Sequence, residues 1–156
     1  MNLQIDHSVI PIVKIYVLRL SREAYLDLYH HISEKYPLEA CGILLGRIEN
    51  GIAIVTRILP LRNIKESRTE FWIDEKEWIG KILEAQKQGL EYIGLYHSHP
   101  DTEPLPSPSD RHRMLECPGE VWLIVGYSPS SLTMAAYRVG DDGYSLLSIS
   151  TQVAHE

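Results

Sequence analysis

Apolar residues along this chain follow two periods, one typical of strands and one typical of helices. Short β-branched and apolar runs, bounded by Gly, Pro or Asn, indicate strands. They predict strands at residues 11–20, 41–46, 53–59, 69–73, 121–127, 133–139 and 144–150, and a further buried strand at 92–96. Because these strands do not alternate regularly with helices, the pattern favours an α+β fold with a curved mixed sheet flanked by helices.

Helices are predicted where apolar residues recur every three to four positions after a capping residue. Ser21 is a typical N-cap for a helix that ends near Lys35, before Pro37. Asp74 is placed to cap a second helix over residues 75–88, which Gly89 would end. The apolar positions of this second helix keep helical spacing, at Trp78, Ile79, Ile82, Leu83 and Ala85.

Composition narrows the class of protein. A chain of 156 residues with 44% hydrophobic residues predicts one globular domain over residues 1–156, with its core at about 18–150 and an extension at 1–13. A net charge of −6 argues against a large nucleic-acid-binding surface. No apolar run approaches the ~20 residues that span a membrane, and the first residues do not resemble a signal peptide. We therefore expect a cytoplasmic protein without a membrane partner.

The cysteines, Cys41 and Cys117, do not have the spacing of a metal site or a redox motif. In the cytosol we expect no disulfide between them. Cys41 follows Glu39 by two positions, so two interpretations stay open. It either lines a site near Glu39 or packs as a small buried apolar residue.

The segment from Tyr96 to Asp110 holds the strongest chemical pattern. His97 and His99 follow a predicted buried strand, and residues at i and i+2 of a strand point to the same face. The two imidazoles can therefore hold one metal ion, with Asp110 as a third ligand. Two histidines and one carboxylate leave a fourth tetrahedral position for water, which is typical of catalytic zinc.

Asp110 also has a purely structural interpretation. Ser107 fits an N-cap, Pro108 fits the first helical position, and Asp110 falls at N3 of a short helix. A cap alone gives no reason for the paired histidines or for a loop stiffened by proline. The prolines of this loop are Pro100, Pro104, Pro106 and Pro108.

Glu39 is a candidate general base far upstream. It stands at the start of a buried, apolar run, where a carboxylate is partly desolvated and suited to carry a proton. The alternative is a solvated glutamate in a turn between helix and strand. The residues alone leave both open.

Taken together, Glu39, His97-Ser98-His99-Pro100 and Ser107-x-x-Asp110 resemble the motif of the JAMM (MPN+) metallopeptidases. The resemblance extends over roughly residues 18–128 and is closest to the small bacterial branch, whose fold is cytidine-deaminase-like. It implies that one Zn²⁺ per chain is bound by His97, His99 and Asp110. It further implies that Glu39 acts as general base and acid on the zinc-activated water, and that Ser107 stabilises the oxyanion.

The same resemblance implies a substrate. Members of the small bacterial branch hydrolyse an amide bond at the C-terminus of a ubiquitin-like sulfur-carrier protein that ends in Gly-Gly, some of them in cysteine biosynthesis. An extended tail would fit beside a sheet edge by β-augmentation. Deubiquitinase-like isopeptidase activity and a non-catalytic scaffold are the alternatives. The branch associated with DNA repair has Asn where this chain has Ser98. A homodimer through the first residues stays open.

Overall fold

The computed structural model describes residues 14–155, which form one sheet and three helices. The strands are β1 Val17–Leu20, β2 Cys41–Glu49, β3 Ile52–Leu61, β4 Glu91–Pro100, β5 Val121–Ser128, β6 Ser131–Val139 and β7 Leu146–Val153. The helices are α1 Arg22–Lys35, α2 Glu75–Lys87 and α3 Pro108–Glu116. The predicted α+β class is confirmed. The predicted domain bounds, 1–156, stay a prediction.

The sheet closes on itself in the order β1-β3-β2-β4-β5-β6-β7. Closure depends on β1, which pairs in parallel with both β3 and β7. Each described strand therefore has two strand neighbours, so the expected free edge for a substrate tail is mostly absent. β3 keeps a short free edge over residues 56–61, because β1 pairs with β3 only as far as Val55.

Helices cover both faces of the sheet. On one face α1 packs through Ala24, Leu28 and Ile32 into a core with the sheet. On the other face α2 contributes Trp78 and Ile82, and α3 contributes Met114. Among the described residues, none of the helices is long and apolar enough to cross a membrane.

The predicted helix starts are confirmed. Ser21 caps α1 by accepting a hydrogen bond from the amide of Ala24, and Asp74 caps α2 by accepting from Lys76 and Glu77. Ser107 and Asp110 form the predicted capping box of α3, with Pro at its first turn. Each cap satisfies backbone amides that the helix itself cannot bond.

The strand predicted at residues 69–73 is wrong. Phe71, Trp72 and Ile73 are buried as their apolar character requires, but they lie in a loop between β3 and α2. The side chain of Asn63 organises this loop, because its Oδ1 accepts hydrogen bonds from the amides of Lys65 and Trp72. The side chain of Asn63 thus bonds backbone amides of the loop, as a partner strand would do in a sheet.

Several strand boundaries also differ from the prediction, and two of the differences bear on the site. The strand predicted at residues 11–20 is observed only as Val17–Leu20, and residues 11–13 lie outside the described part of the chain, as does the predicted extension. The histidines were expected just beyond the end of a strand. They lie within β4 instead, because β5 continues to pair with β4 as far as Pro100.

A buried carboxyl group joins β4, α2 and the turn before β5. The hydroxyl of Tyr92 donates to Oε1 of Glu120 at 2.6 Å and accepts from the indole nitrogen of Trp78 at 3.2 Å. Burial raises the pKa of Glu120 to about 8, although hydrogen bonds from Tyr92 and Cys117 oppose this shift. The raised pKa favours the neutral acid form of Glu120 in the folded protein at neutral pH.

We expect Glu120 to make the fold less stable as pH rises from about 4.5 to about 8. In this range the folded protein holds a proton that the unfolded chain releases, so the free energy of unfolding falls by up to about 1.4 kcal/mol per pH unit. Glu120→Gln keeps an acceptor for Tyr92 and removes the titration. Urea unfolding at pH 5 and pH 8 should show a smaller loss of stability in the variant. Equal losses in both proteins would contradict this expectation.

Candidate active site

The site is built on β4, a central strand of the sheet. His97 pairs with Cys41 of β2 on one side and with Ile124 of β5 on the other. This position leaves the side chain of His97 fully buried, and His99 is only 9% exposed. A strand held on both sides gives the two imidazoles a rigid base.

Asp110, in the first turn of α3, presents its carboxylate to both histidines. Its Oδ1 lies 3.0 Å from Nε2 of His97, and its Oδ2 lies 2.9 Å from Nε2 of His99. The capping box holds this carboxylate, because the amide of Ser107 also donates to Oδ2 at 3.0 Å. The structure therefore brings together the three side chains that the sequence predicts as metal ligands.

The tautomer of His99 decides what can lie between its Nε2 and Oδ2 of Asp110. Nδ1 of His99 lies 3.2 Å from the carbonyl oxygen of Glu103, so a neutral His99 that donates there has a bare lone pair on Nε2. A lone pair and a carboxylate oxygen 2.9 Å apart repel each other unless a proton or a metal cation lies between them. Two imidazoles and a carboxylate are a catalytic zinc donor set. The residues present fit zinc.

Charge and burial act against each other in this cluster. Burial alone would raise the pKa of Asp110, but the close imidazoles of His97 and His99 hold it well below its usual range. Burial lowers the pKa of His97. In His99, contact with Asp110 outweighs burial and raises the pKa. Asp110 is thus a carboxylate ion in the folded protein, which is the form that binds a metal.

Glu39 lies against the histidines from the start of β2. Its carboxylate can approach Nε2 or Nδ1 of both rings, with all three ligand atoms within 4.8 Å of one another. Glu39 is 4% exposed, and among the described residues its Oε1 has no hydrogen-bond partner. Burial raises its pKa to about 8, although His99 opposes the shift. Glu39 is therefore a desolvated carboxyl group beside the predicted ligands.

The backbone of Glu39 is held by the loop between β3 and α2. Its amide donates to the carbonyl oxygen of Ser67 at 2.8 Å, and its carbonyl accepts from Nδ2 of Asn63 at 3.1 Å. These contacts are not those of a solvated turn residue, so the structure supports the buried alternative for Glu39.

Ser107 stands at the rim of the cluster and is partly exposed. Its Oγ accepts a hydrogen bond from the amide of Asp110 at 3.0 Å. This bond uses a lone pair of the hydroxyl oxygen, so the hydroxyl proton remains available for a second group.

Comparison with known proteins identifies the family. The model of the prokaryotic homologues of the JAB domain matches residues 21–139 of this chain. The chain belongs to this JAB family. The match includes every residue of the cluster described above.

Relatives of this JAB protein are named as desampylases and as peptidases. The desampylase of Haloferax volcanii is 35% identical over 68% of this chain and 73% of its own length. The CysO-cysteine peptidase of Mycobacterium tuberculosis is 29% identical over 81% of this chain and 86% of its own length. A protein of Desulfitobacterium hafniense, solved in solution, matches with a TM-score of 0.78 at 26% identity, over 89% of this chain and 94% of that one. This JAB protein is a hydrolase of peptide or isopeptide bonds.

Two cavities meet at Glu39. The smaller, about 210 Å³, is lined by Glu39, Arg68, Thr69, His99, Pro100, Thr102 and Ser107. The larger, about 490 Å³, lies between the end of α1 and the β3–α2 loop, and Glu39, Pro60, Leu61 and Asn63 are among its lining residues. A group bound at Glu39 can therefore extend in two directions.

Sequence reasoning did not predict the residues that support the cluster. Phe71 stacks on the ring of His97, with centroids 4.3 Å apart and an interplanar angle of 21°. Asn63 holds Glu39, and Ser98 contacts the chain beside it. Cys41 packs in the core below the cluster, where its Sγ lies 3.8 Å from the carbonyl oxygen of Leu61. The packing interpretation of Cys41 is therefore the one the structure supports.

Proposed function

We propose that this JAB protein is a zinc-dependent peptidase that hydrolyses the amide bond at the C-terminus of a ubiquitin-like sulfur-carrier protein. The single observation that carries the proposal is the convergence of His97, His99 and Asp110 beside the buried Glu39. The names of two relatives, the CysO-cysteine peptidase and a probable TtuB-protein conjugate cleaving protease of Thermus thermophilus, support the class of substrate. The proposed carrier ends in Gly-Gly.

We assign the zinc ion, one per chain, to His97, His99 and Asp110. When bound there, zinc would supply Lewis acidity, which lowers the pKa of water towards ~7 and polarises a carbonyl group. The histidines contribute neutral nitrogens from a rigid strand, and Asp110 contributes the negative charge from a capped helix. Phe71 and the surrounding core exclude bulk water from His97, which strengthens these electrostatic interactions.

Glu39 is the proton carrier of the proposed reaction. Its Oε1 takes a proton from the attacking water and later delivers it to the nitrogen of the leaving amine. The position fits this role, because Oε1 has no hydrogen-bond partner among the described residues and the carboxyl group lies close to both imidazoles. We assign no zinc bond to Glu39.

Ser107 is the proposed donor to the carbonyl oxygen of the scissile amide as negative charge develops on it. We expect Ser107→Ala to lower kcat by about 10²–10³, the usual cost of losing one such donor. The variant also loses a helix cap, worth about 1 kcal/mol. Ser21→Ala is the matched control, because it removes the cap of α1 far from the site. Steady-state kinetics should show a loss only in Ser107→Ala. Equal rates would contradict this role.

The two cavities suit an amide with a chain on each side. We place the carrier tail in the larger cavity, which it reaches along residues 56–61 of β3, because this edge lacks a second strand and Pro60 and Leu61 line the cavity. The leaving amine then lies in the smaller cavity, near Thr102 and Ser107.

Hydrolysis of defined conjugates tests the function. A sulfur-carrier protein ending in Gly-Gly, extended by one cysteine or joined to a lysine side chain, is incubated with zinc-loaded protein and followed by mass spectrometry. We expect release of the carrier with a free Gly-Gly terminus, and no release after chelation. Cleavage of the lysine conjugate alone would favour the isopeptidase alternative. If both conjugates stay intact, the proposal fails and the scaffold alternative takes its place.

We place this reaction in the cytoplasm. Cys41 and Cys117 are both buried free thiols, which is typical of proteins from a reducing compartment.

A further inference from the structure

The serine between the two histidines has no role in the chemistry above, although it is almost completely buried. The side chain of Ser98 is 1% exposed, and as the middle residue of His97-Ser98-His99 it points to the face of β4 opposite the imidazoles. A buried hydroxyl group needs a partner, and its partner identifies what it does.

That partner is the backbone next to Glu39. The last residue pair in the β2–β4 ladder is Cys41 with His97. At the next position the amide of Ser98 donates to the carbonyl oxygen of Ala40 at 3.0 Å. In return, the amide of Ala40 donates at 2.8 Å to Oγ of Ser98 instead of a strand carbonyl. The side chain thus extends the ladder by one residue.

We propose that Ser98 is a positioning residue. Its hydroxyl group holds the amide of Ala40 and thereby keeps the side chain of Glu39 at the distance from the two histidines that the reaction requires. This inference rests on the proposed function. Glu39 directly precedes Ala40, and on its other side its backbone is bonded to Asn63 and Ser67 of the loop. The hydroxyl group of Ser98 adds a second bond between this backbone and the strand that carries His97 and His99. Without it, the amide of Ala40 loses its partner, and only the bond from the Ser98 amide to the Ala40 carbonyl oxygen remains at this position.

Three variants separate the hydroxyl group from the volume of the side chain. Ser98→Val and Ser98→Thr have nearly the same shape and add the same crowding, but only Thr keeps a hydroxyl group. Ser98→Ala removes the hydroxyl group without crowding and serves if Ser98→Val does not fold. We expect Val and Ala to lower kcat by about 10²-fold with KM little changed, as for a misplaced catalytic group. We expect Thr to restore most of the rate.

A readout independent of turnover is the exchange of the Ala40 amide with solvent, followed by NMR. We expect this amide to exchange at least about tenfold faster in Ser98→Val and Ser98→Ala than in the wild type, with Ser98→Thr close to the wild type. Zinc content should stay the same in all variants, because Ser98 contacts none of the proposed ligands through its hydroxyl group.

A double-variant cycle decides whether Ser98 acts through Glu39. In the Glu39→Gln background, Ser98→Val should cause no further loss of the residual rate, because there is no proton carrier left to misplace. A further 10²-fold loss in that background, or a wild-type kcat in Ser98→Val and Ser98→Ala, would overturn the inference. Absence of hydrolysis by the wild-type protein would instead overturn the proposed function.

Discussion

Replacing Glu39 with glutamine should slow hydrolysis strongly and leave zinc bound. Glutamine keeps the size of the side chain and one acceptor oxygen but cannot carry a proton from water to the leaving amine. General acid–base catalysis contributes about 10²–10⁴ in rate, so we expect kcat to fall by that factor. Zinc should remain at about one per chain, since the proposed ligands are His97, His99 and Asp110.

Elemental analysis and steady-state kinetics on the same preparation check this result. Glu70→Gln is the matched control. Glu70 is an exposed carboxylate whose charge contributes to the raised pKa of Glu39, and it has no catalytic role in the proposal. We expect nearly wild-type rates from it. Loss of zinc from Glu39→Gln would contradict the assigned role. It would make Glu39 a ligand in the set of Glu39, His97 and His99, whose atoms also lie close together.

Asp110→Ala should lose both zinc and activity. The Asp110 carboxylate is the only negatively charged group among the proposed ligands, and it lies about 3 Å from both histidine nitrogens. Without it two neutral imidazoles remain, so we expect zinc content to fall from about one per chain to near zero. Hydrolysis should fall to the background rate.

Asp110→Ala also weakens the start of α3, because Asp110 belongs to its capping box. The control variant must therefore lose a comparable helix cap. Asp74→Ala removes a carboxylate that caps α2, where Oδ1 accepts from the amides of Lys76 and Glu77. It should lose comparable helix stability and keep its zinc. Elemental analysis after purification without chelator compares the two variants at equal folded fraction, measured by circular dichroism. Retention of zinc by Asp110→Ala would remove Asp110 from the ligand set.

Local sequence was enough to predict most elements of this fold. Ser21, Asp74 and Ser107 were correctly predicted as helix caps, because a cap acts within four residues along the chain. The strand predicted at 69–73 is not observed, because strand pairing depends on residues far apart in the chain. Its apolar residues are buried, but whether a buried segment pairs as a strand depends on a partner, and here the side chain of Asn63 bonds the backbone of the segment.

The candidate site likewise has residues that the sequence could group and residues that it could not. His97 and His99 face the same side because they are two positions apart on one strand, and Asp110 follows at the start of a capped helix, so these three could be grouped from sequence. The part played by Phe71, Asn63 and Ser98 could not. Each acts on a residue far from it in the chain, as Ser98 does on Ala40, 58 positions away.

The sequence by itself determined most of the elements, the helix caps and the set of side chains able to bind zinc, because periodicity, capping and ligand spacing are properties of neighbouring residues. Only the tertiary structure decided that the sheet closes through β1, which removes most of the expected free edge. It also decided that Glu39 is buried against the histidines and not solvated in a turn. The energies of strand pairing and of desolvation depend on which distant segments meet, and no short stretch of sequence specifies that.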